Sequence, residues 1–129
     1  MDQVGFRMAA ETLSMGECRH RRRRIAMATI LFVVKATIRQ DREADFNRWY
    51  NEEHVPQVLR WKGVVSARRY RAILGEDTYQ YMAVYELASE ENFRAFMDSE
   101  DMKALRAEYD AHFGDVSERA RFAYEQVWP

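Results

Sequence analysis

Residues 29–38 read TILFVVKATI, apolar or β-branched at nearly every position. A stretch with no polar parity to turn toward water reads as a β-strand buried on both faces. Any fold that accepts it must cover a sheet from two sides. The 129 residues of the chain, 47% apolar and 13% aromatic with five glycines and two prolines, amount to one compact domain. With 20 basic and 21 acidic residues the formal charge is -1, which argues against a disordered chain and against a protein built to hold nucleic-acid phosphates. Cys18 is the single cysteine and cannot close a disulfide within the chain, and no apolar run reaches the roughly 18 residues of a membrane helix. A cytoplasmic protein with no nucleic-acid partner and no membrane partner is therefore expected.

Charge divides the chain in two. Residues 1–28 hold six arginines against Asp2, Glu11 and Glu17, a net of +3, which leaves -4 for the rest. This stretch contains Cys18 and the run Arg19-His20-Arg21-Arg22-Arg23-Arg24 and shows no periodic apolar face. It reads as a flexible basic leader, 1–28, ahead of a folded domain, 29–129, with Met27 available as a second start. A nucleic-acid-contacting patch is the alternative; a transit peptide fits poorly because of the three acids.

Within the domain, Asp41 stands where a helix N-cap is expected, and Phe46, Trp49, Tyr50, Glu53 and His54 share one face of the helix that follows. Pro56 disfavours the α conformation at Val55, so an interruption is expected there, followed by a short turn that carries Val58 to the core. Val64–Leu74 and Thr78–Leu87 read as a hairpin around Gly75-Glu76-Asp77. Ser89 and Ser99 read as caps of two further helices, with Phe93, Phe96 and Met97 on the first and Met102, Leu105, Tyr109 and Phe113 on the second. Arg119–Trp128 alternates as a last strand. The order βαββαβ predicts an α+β, ferredoxin-like fold with a four-stranded antiparallel sheet. Helices cover one face of such a sheet, yet strand three has apolar or aromatic residues on both parities. A homodimer with two sheets packed face to face, a dimeric α/β barrel, covers the other face.

The segments FNRWYNEEHVPQVLRWKGVVSARRY, YMAVYEL and FRAFMDSEDMKAL resemble the dimeric α/β-barrel superfamily, and within it the EthD-like proteins, where an aromatic-rich helical segment ends in a histidine near a proline. The resemblance spans about residues 29–128. It implies a family of muconolactone-type isomerases, cofactor-independent monooxygenases, polyketide cyclases, haem-handling proteins and members of unassigned role, so it constrains the fold more than the chemistry. In the related methylmuconolactone isomerases the histidine at the end of the first helix transfers the proton, and His54 matches that position.

On the residues themselves, His54 follows Tyr50 by four and Phe46 by eight, and an imidazole with a pKa near 6.5 both takes and returns protons at neutral pH. His54 is the catalytic candidate; a histidine that merely caps the broken helix is the alternative. Trp49, Tyr50, Tyr70, Tyr81 and Tyr85 are candidates for holding a ring, and Arg69 for holding a carboxylate, against structural roles in the core and on the solvent face. Glu52, Glu53 and His54 point three ways around a helix, so no metal site is expected. No phosphate loop or dinucleotide fingerprint is present, and no cofactor is expected; a haem ligand, if any, falls on His54 or His112 with nothing to select between them. The expected function is a small cofactor-independent enzyme of isomerase, cyclase or monooxygenase type that acts on a cyclic or aromatic, oxygen-bearing small-molecule ligand. A non-catalytic accessory or small-molecule-binding dimer is the alternative.

Overall fold

The structure is a computed structural model and describes residues 28–129, so the leader up to Met27, with that start site, lies outside the described residues. The elements run β1 (Ile30–Ala36), a 3-10 turn (Gln40–Arg42), α1 (Glu43–Trp49), a π turn (Tyr50–His54), α2 (Val55–Leu59), β2 (Val64–Arg71), β3 (Tyr81–Leu87), α3 (Glu90–Met97), α4 (Glu100–Phe113) and β4 (Arg119–Glu125). The strands lie in the order β2-β3-β1-β4 and every neighbouring pair is antiparallel. This is the ferredoxin-like α+β arrangement.

Register decides what each strand shows the helices. Phe32, Val34 and Ala36 of β1 and Ala83, Tyr85 and Leu87 of β3 belong to one buried cluster with Phe46, Trp49, Tyr50, Val58, Phe96, Met102, Tyr109 and Phe113. Because Phe32 pairs with Tyr85 and Val34 with Arg121, and Ala36 with Arg119, the odd residues of β4 share that helix-covered face. Ala67 and Arg69 of β2, opposite Tyr85 and Ala83, join them. The other face carries Leu31, Val33, Tyr70, Met82, Val84 and Phe122, and no element of the chain covers it among the described residues.

Four local expectations give way to tertiary packing. Asp41 caps nothing: its carboxylate accepts from Arg39 Nε at 2.6 Å inside the 3-10 turn, and α1 begins at Glu43 without a side-chain cap. Pro56 does not break the helix, since Val55 keeps helical angles and the path continues to Leu59. The ring of a proline collides with the carbonyl four residues back in a regular α-helix, and the turn ahead of it widens instead, with Val55 N–H donating to Tyr50 O. The hairpin strands are shorter than their alternation suggests. Asp77 accepts from Tyr79 N–H at 2.9 Å, which folds 77–79 out of the ladder and leaves Ile73 and Leu74 in solvent, while Gln80 keeps one cross-strand bond, from Ala72 N–H, and its Oε1 accepts from Ile38 N–H at 2.6 Å. Strand four stops at Glu125, opposite the start of β1, followed by one further bond from Gln126 N–H to Thr29 O. Ser89 and Ser99 do cap, accepting from Asn92 N–H and Met102 N–H, each at 3.1 Å.

Candidate functional site

The widened turn sets the site. Phe46, Tyr50 and His54 come one above the other, with ring centroids 4.9 Å and 5.1 Å apart, and Trp49 lies flat on the His54 imidazole at 4.6 Å and 19°. His54 is the one polar residue in the buried set of the described chain. It makes no side-chain capping bond at the start of α2, and its Nδ1 is sealed from solvent with no hydrogen-bond partner. Burial, then the positive charges of Arg119 and Arg69, lower its pKa to about 4, so the ring is neutral at pH 7.

The imidazole lines a cleft between the helices and the sheet. Tyr50 and Val58 flank it, Phe32, Val34 and Tyr85 form the sheet side, Phe96, Met102, Leu105 and Arg106 the α3–α4 side, and Arg119 and Arg121 project from β4. The cleft is narrow, with about 30 Å³ wide enough for the centre of a water molecule. The Tyr85 hydroxyl and Arg106 Nε are, like His54 Nδ1, buried without partners. Burial raises the Tyr50 and Tyr85 phenols well above their ordinary range, so both stay protonated and act as hydrogen-bond donors rather than bases.

Of the residues singled out in the sequence, His54, Tyr50 and Tyr85 meet in this cleft, and four lie elsewhere. Trp49 packs behind His54 against Tyr109, His112 and Phe113. Tyr70 has its side chain on the opposite, bare face of the sheet, because it pairs with Met82 rather than with a helix-facing residue. Tyr81 donates its hydroxyl proton to the Glu43 carboxylate and accepts from Asn47 Nδ2 at 3.1 Å. Arg69 donates to Asn47 Oδ1 and Asn51 Oδ1, both at 2.9 Å, and stacks over Tyr50 at 4.5 Å, so its fork ties the first helical segment to the sheet. The residues that sequence reasoning missed are Arg106, Arg119 and Arg121. The alternation of residues 119–128 groups Arg119 with Arg121 on one face, but only the pairing with β1 turns that face inward.

A four-stranded antiparallel sheet with helices on one side and a cleft between the two layers defines a protein of the ferredoxin-like α+β class. Within that class the chain belongs to the family described as domain of unknown function (DUF4286), which matches residues 29–123. Solved structures agree on the fold. An ethyl tert-butyl ether D (EthD) family protein from Bacillus halodurans superposes with a TM-score of 0.61 at 16% identity, over 78% of this chain and 100% of that one. SnoaB, a cofactor-independent oxygenase from Streptomyces nogalater, gives 0.56 at 17% identity over 78% and 95%. A dimeric ferredoxin-like protein of unknown function from Thermobifida fusca gives 0.51 at 17% identity over 77% and 92%. No curated protein matches in sequence. No three His, Cys, Asp or Glu side chains among the described residues group as metal ligands, and no described helix is long and apolar enough to cross a membrane.

Proposed function

We propose that this protein is a small cofactor-independent enzyme in which His54 moves a proton on a cyclic, oxygen-bearing small molecule. The observation that carries the reading is a buried, neutral imidazole with an unpartnered nitrogen that lines the same cleft as a buried phenol, Tyr85, whose hydroxyl is also unpartnered. Buried polar atoms in folded proteins nearly always have partners, so two orphans lining one cleft suit a site that a ligand completes. In the proposed step His54 takes a proton from an acidic C–H or O–H of the substrate, and the electron pair moves onto a substrate oxygen that accepts a hydrogen bond from Tyr85. In an isomerisation or cyclisation the imidazolium returns the proton to another position. Resemblance to a cofactor-independent oxygenase supports the class without fixing the reaction.

The enzyme is proposed to work as a homodimer. Leu31, Tyr70, Phe122 and Tyr124 are 38%, 48%, 39% and 55% exposed on the bare sheet face, and Met82 and Val84 lie half-buried between them. A second copy laid sheet to sheet removes this apolar surface from water.

Narrowness of the cleft favours a second reading. Space for the centre of a water, and no more, suits a binding module whose side chains fill their own pocket; a ring enters only if lining side chains shift to widen the cleft. Solvent exchange separates the two. In D2O, a panel of cyclic β-dicarbonyls, lactones and dihydroxyarenes is followed by NMR for deuterium entering acidic positions. The enzyme reading expects catalysed exchange of at least one compound class and a loss of about 100-fold or more in His54→Gln. Exchange by His54→Gln at the wild-type rate, or none across the panel by folded protein, overturns it.

A further inference from the structure

The charge around the cleft is one-sided. Arg106, Arg119 and Arg121 line it together with neutral His54, and no aspartate or glutamate does. Arg119 is the one with a carboxylate, Asp110 at 3.4 Å, and it also lies over the Tyr109 ring at 3.8 Å. Arg106 and Arg121 have no ion pair among the described residues. They crowd each other: the pKa of Arg121 is lowered by burial and then by Arg119 and Arg106. Among the described residues Asp110 is the one carboxylate set against these three guanidiniums, so the cluster keeps a net positive charge, and an anion in its midst lowers its free energy. Much of the remaining lining is hydrocarbon, from Phe32, Val34, Val58, Phe96 and Met102.

We propose that this cleft takes a small organic carboxylate, with the anionic group held by Arg106, Arg119 and Arg121 and a ring or chain laid against Phe32, Tyr85 and Phe96. The proposal deepens the reading of the cleft as the site of proton transfer and rests on it. Two orphaned donors meet the ligand: Arg106 Nε, which offers one edge of a guanidinium fork, and the Tyr85 hydroxyl. A free phosphate ion satisfies the guanidiniums but leaves the apolar wall bare, which is why a carbon-bearing anion fits better. The same arrangement answers a chemical need. A base with a pKa of about 4 removes a proton from carbon or phenol only where the resulting anion is itself stabilised, and guanidiniums set close to it do so. The three arginines would then fix the carboxylate and hold the developing enolate or phenolate in one field.

Benzoate, benzamide and inorganic phosphate are the probes, used on the full chain with NMR of the His54 ring and of the backbone. Benzoate should bind saturably with a dissociation constant of about 1 mM or below and raise the His54 pKa, since an anion beside the imidazole favours its protonated form. Benzamide, equal in shape and uncharged, should bind at least about tenfold more weakly, as should phosphate. Arg106→Gln and Arg121→Gln should each lose about tenfold in benzoate affinity with folded spectra, and Arg48→Gln, on the exposed side of α1, should lose none. Benzamide or phosphate binding as well as benzoate, or a His54 ring unmoved at roughly 50 mM benzoate, overturns the proposal. Its failure is distinct from that of the enzyme reading. Catalysed solvent exchange without benzoate binding removes the carboxylate alone, whereas benzoate binding without exchange removes catalysis alone.

Discussion

Held neutral by its surroundings, His54 ties the stability of the whole chain to pH. Its pKa is about 4 in the fold against about 6.5 in the unfolded chain, so between those values the unfolded state binds a proton that the folded state refuses. Stability from this residue is therefore complete above pH 6.5 and lost as pH falls toward 4, by about 3 kcal/mol. Urea unfolding from about pH 7 to about pH 4.5 should show that decline in the wild type and a much flatter one in His54→Gln; parallel declines would place the loss elsewhere. Asp41 and Asp77, held below the usual carboxylate range by Arg39 and Lys35, act in the same direction at lower pH. His54 and Tyr50 were legible because four-residue spacing stacks side chains on one helical face, and the widened turn keeps them stacked. Arg106 was not. Nothing in the local sequence distinguishes it from the other basic residues of the helices, and only the fold brings it beside β4.

Elements show the same division between local and distant causes. The capping serines of α3 and α4 were legible because a hydroxyl and an amide three residues on suffice to make the contact. Pro56 misleads because its local preference for a break is met by a π turn, which keeps the path helical and leaves Trp49, Tyr50 and His54 packed on one another. Gly63, between α2 and β2, has φ of +100°, and a Cβ there would stand 2.8 Å from Asn92 Cγ on α3. Both backbone and space thus require glycine. Gly63→Ala should lower stability by about 2 kcal/mol or more in chemical unfolding, and Asn92→Ala in the same chain should return part of it by removing the clash. A Gly63→Ala protein as stable as the wild type would mean that the α2–β2 connection is looser than drawn.

For the molecule as a whole, the order of elements was enough to predict the sheet, because strand periodicity, caps and connection lengths agree on one topology. Which face of each strand looks at the cleft was not available, since strand three is apolar on both parities and only register separates Tyr85 from Val84. The apolar side chains on the second parity are the surface that the proposed dimer would cover. Sedimentation should give a species of about twice 15.4 kDa, and Phe122→Lys, which places a charge on the bare sheet face, should raise the dimer dissociation constant by about 100-fold or more. A wild-type monomer that stays folded on dilution would contradict the dimer. The proposed role of neutral His54 beside Arg106, Arg119 and Arg121 is tested most directly by the pH dependence of kcat/KM, because that profile reports the essential base of the free enzyme. With a substrate from the solvent-exchange panel, the wild-type rate should hold level as pH falls through 6.5 and drop only on a limb near pH 4, and His54→Gln should abolish both the rate and the limb. A limb near pH 6.5, or one near pH 4 that survives in His54→Gln at full rate, would contradict it.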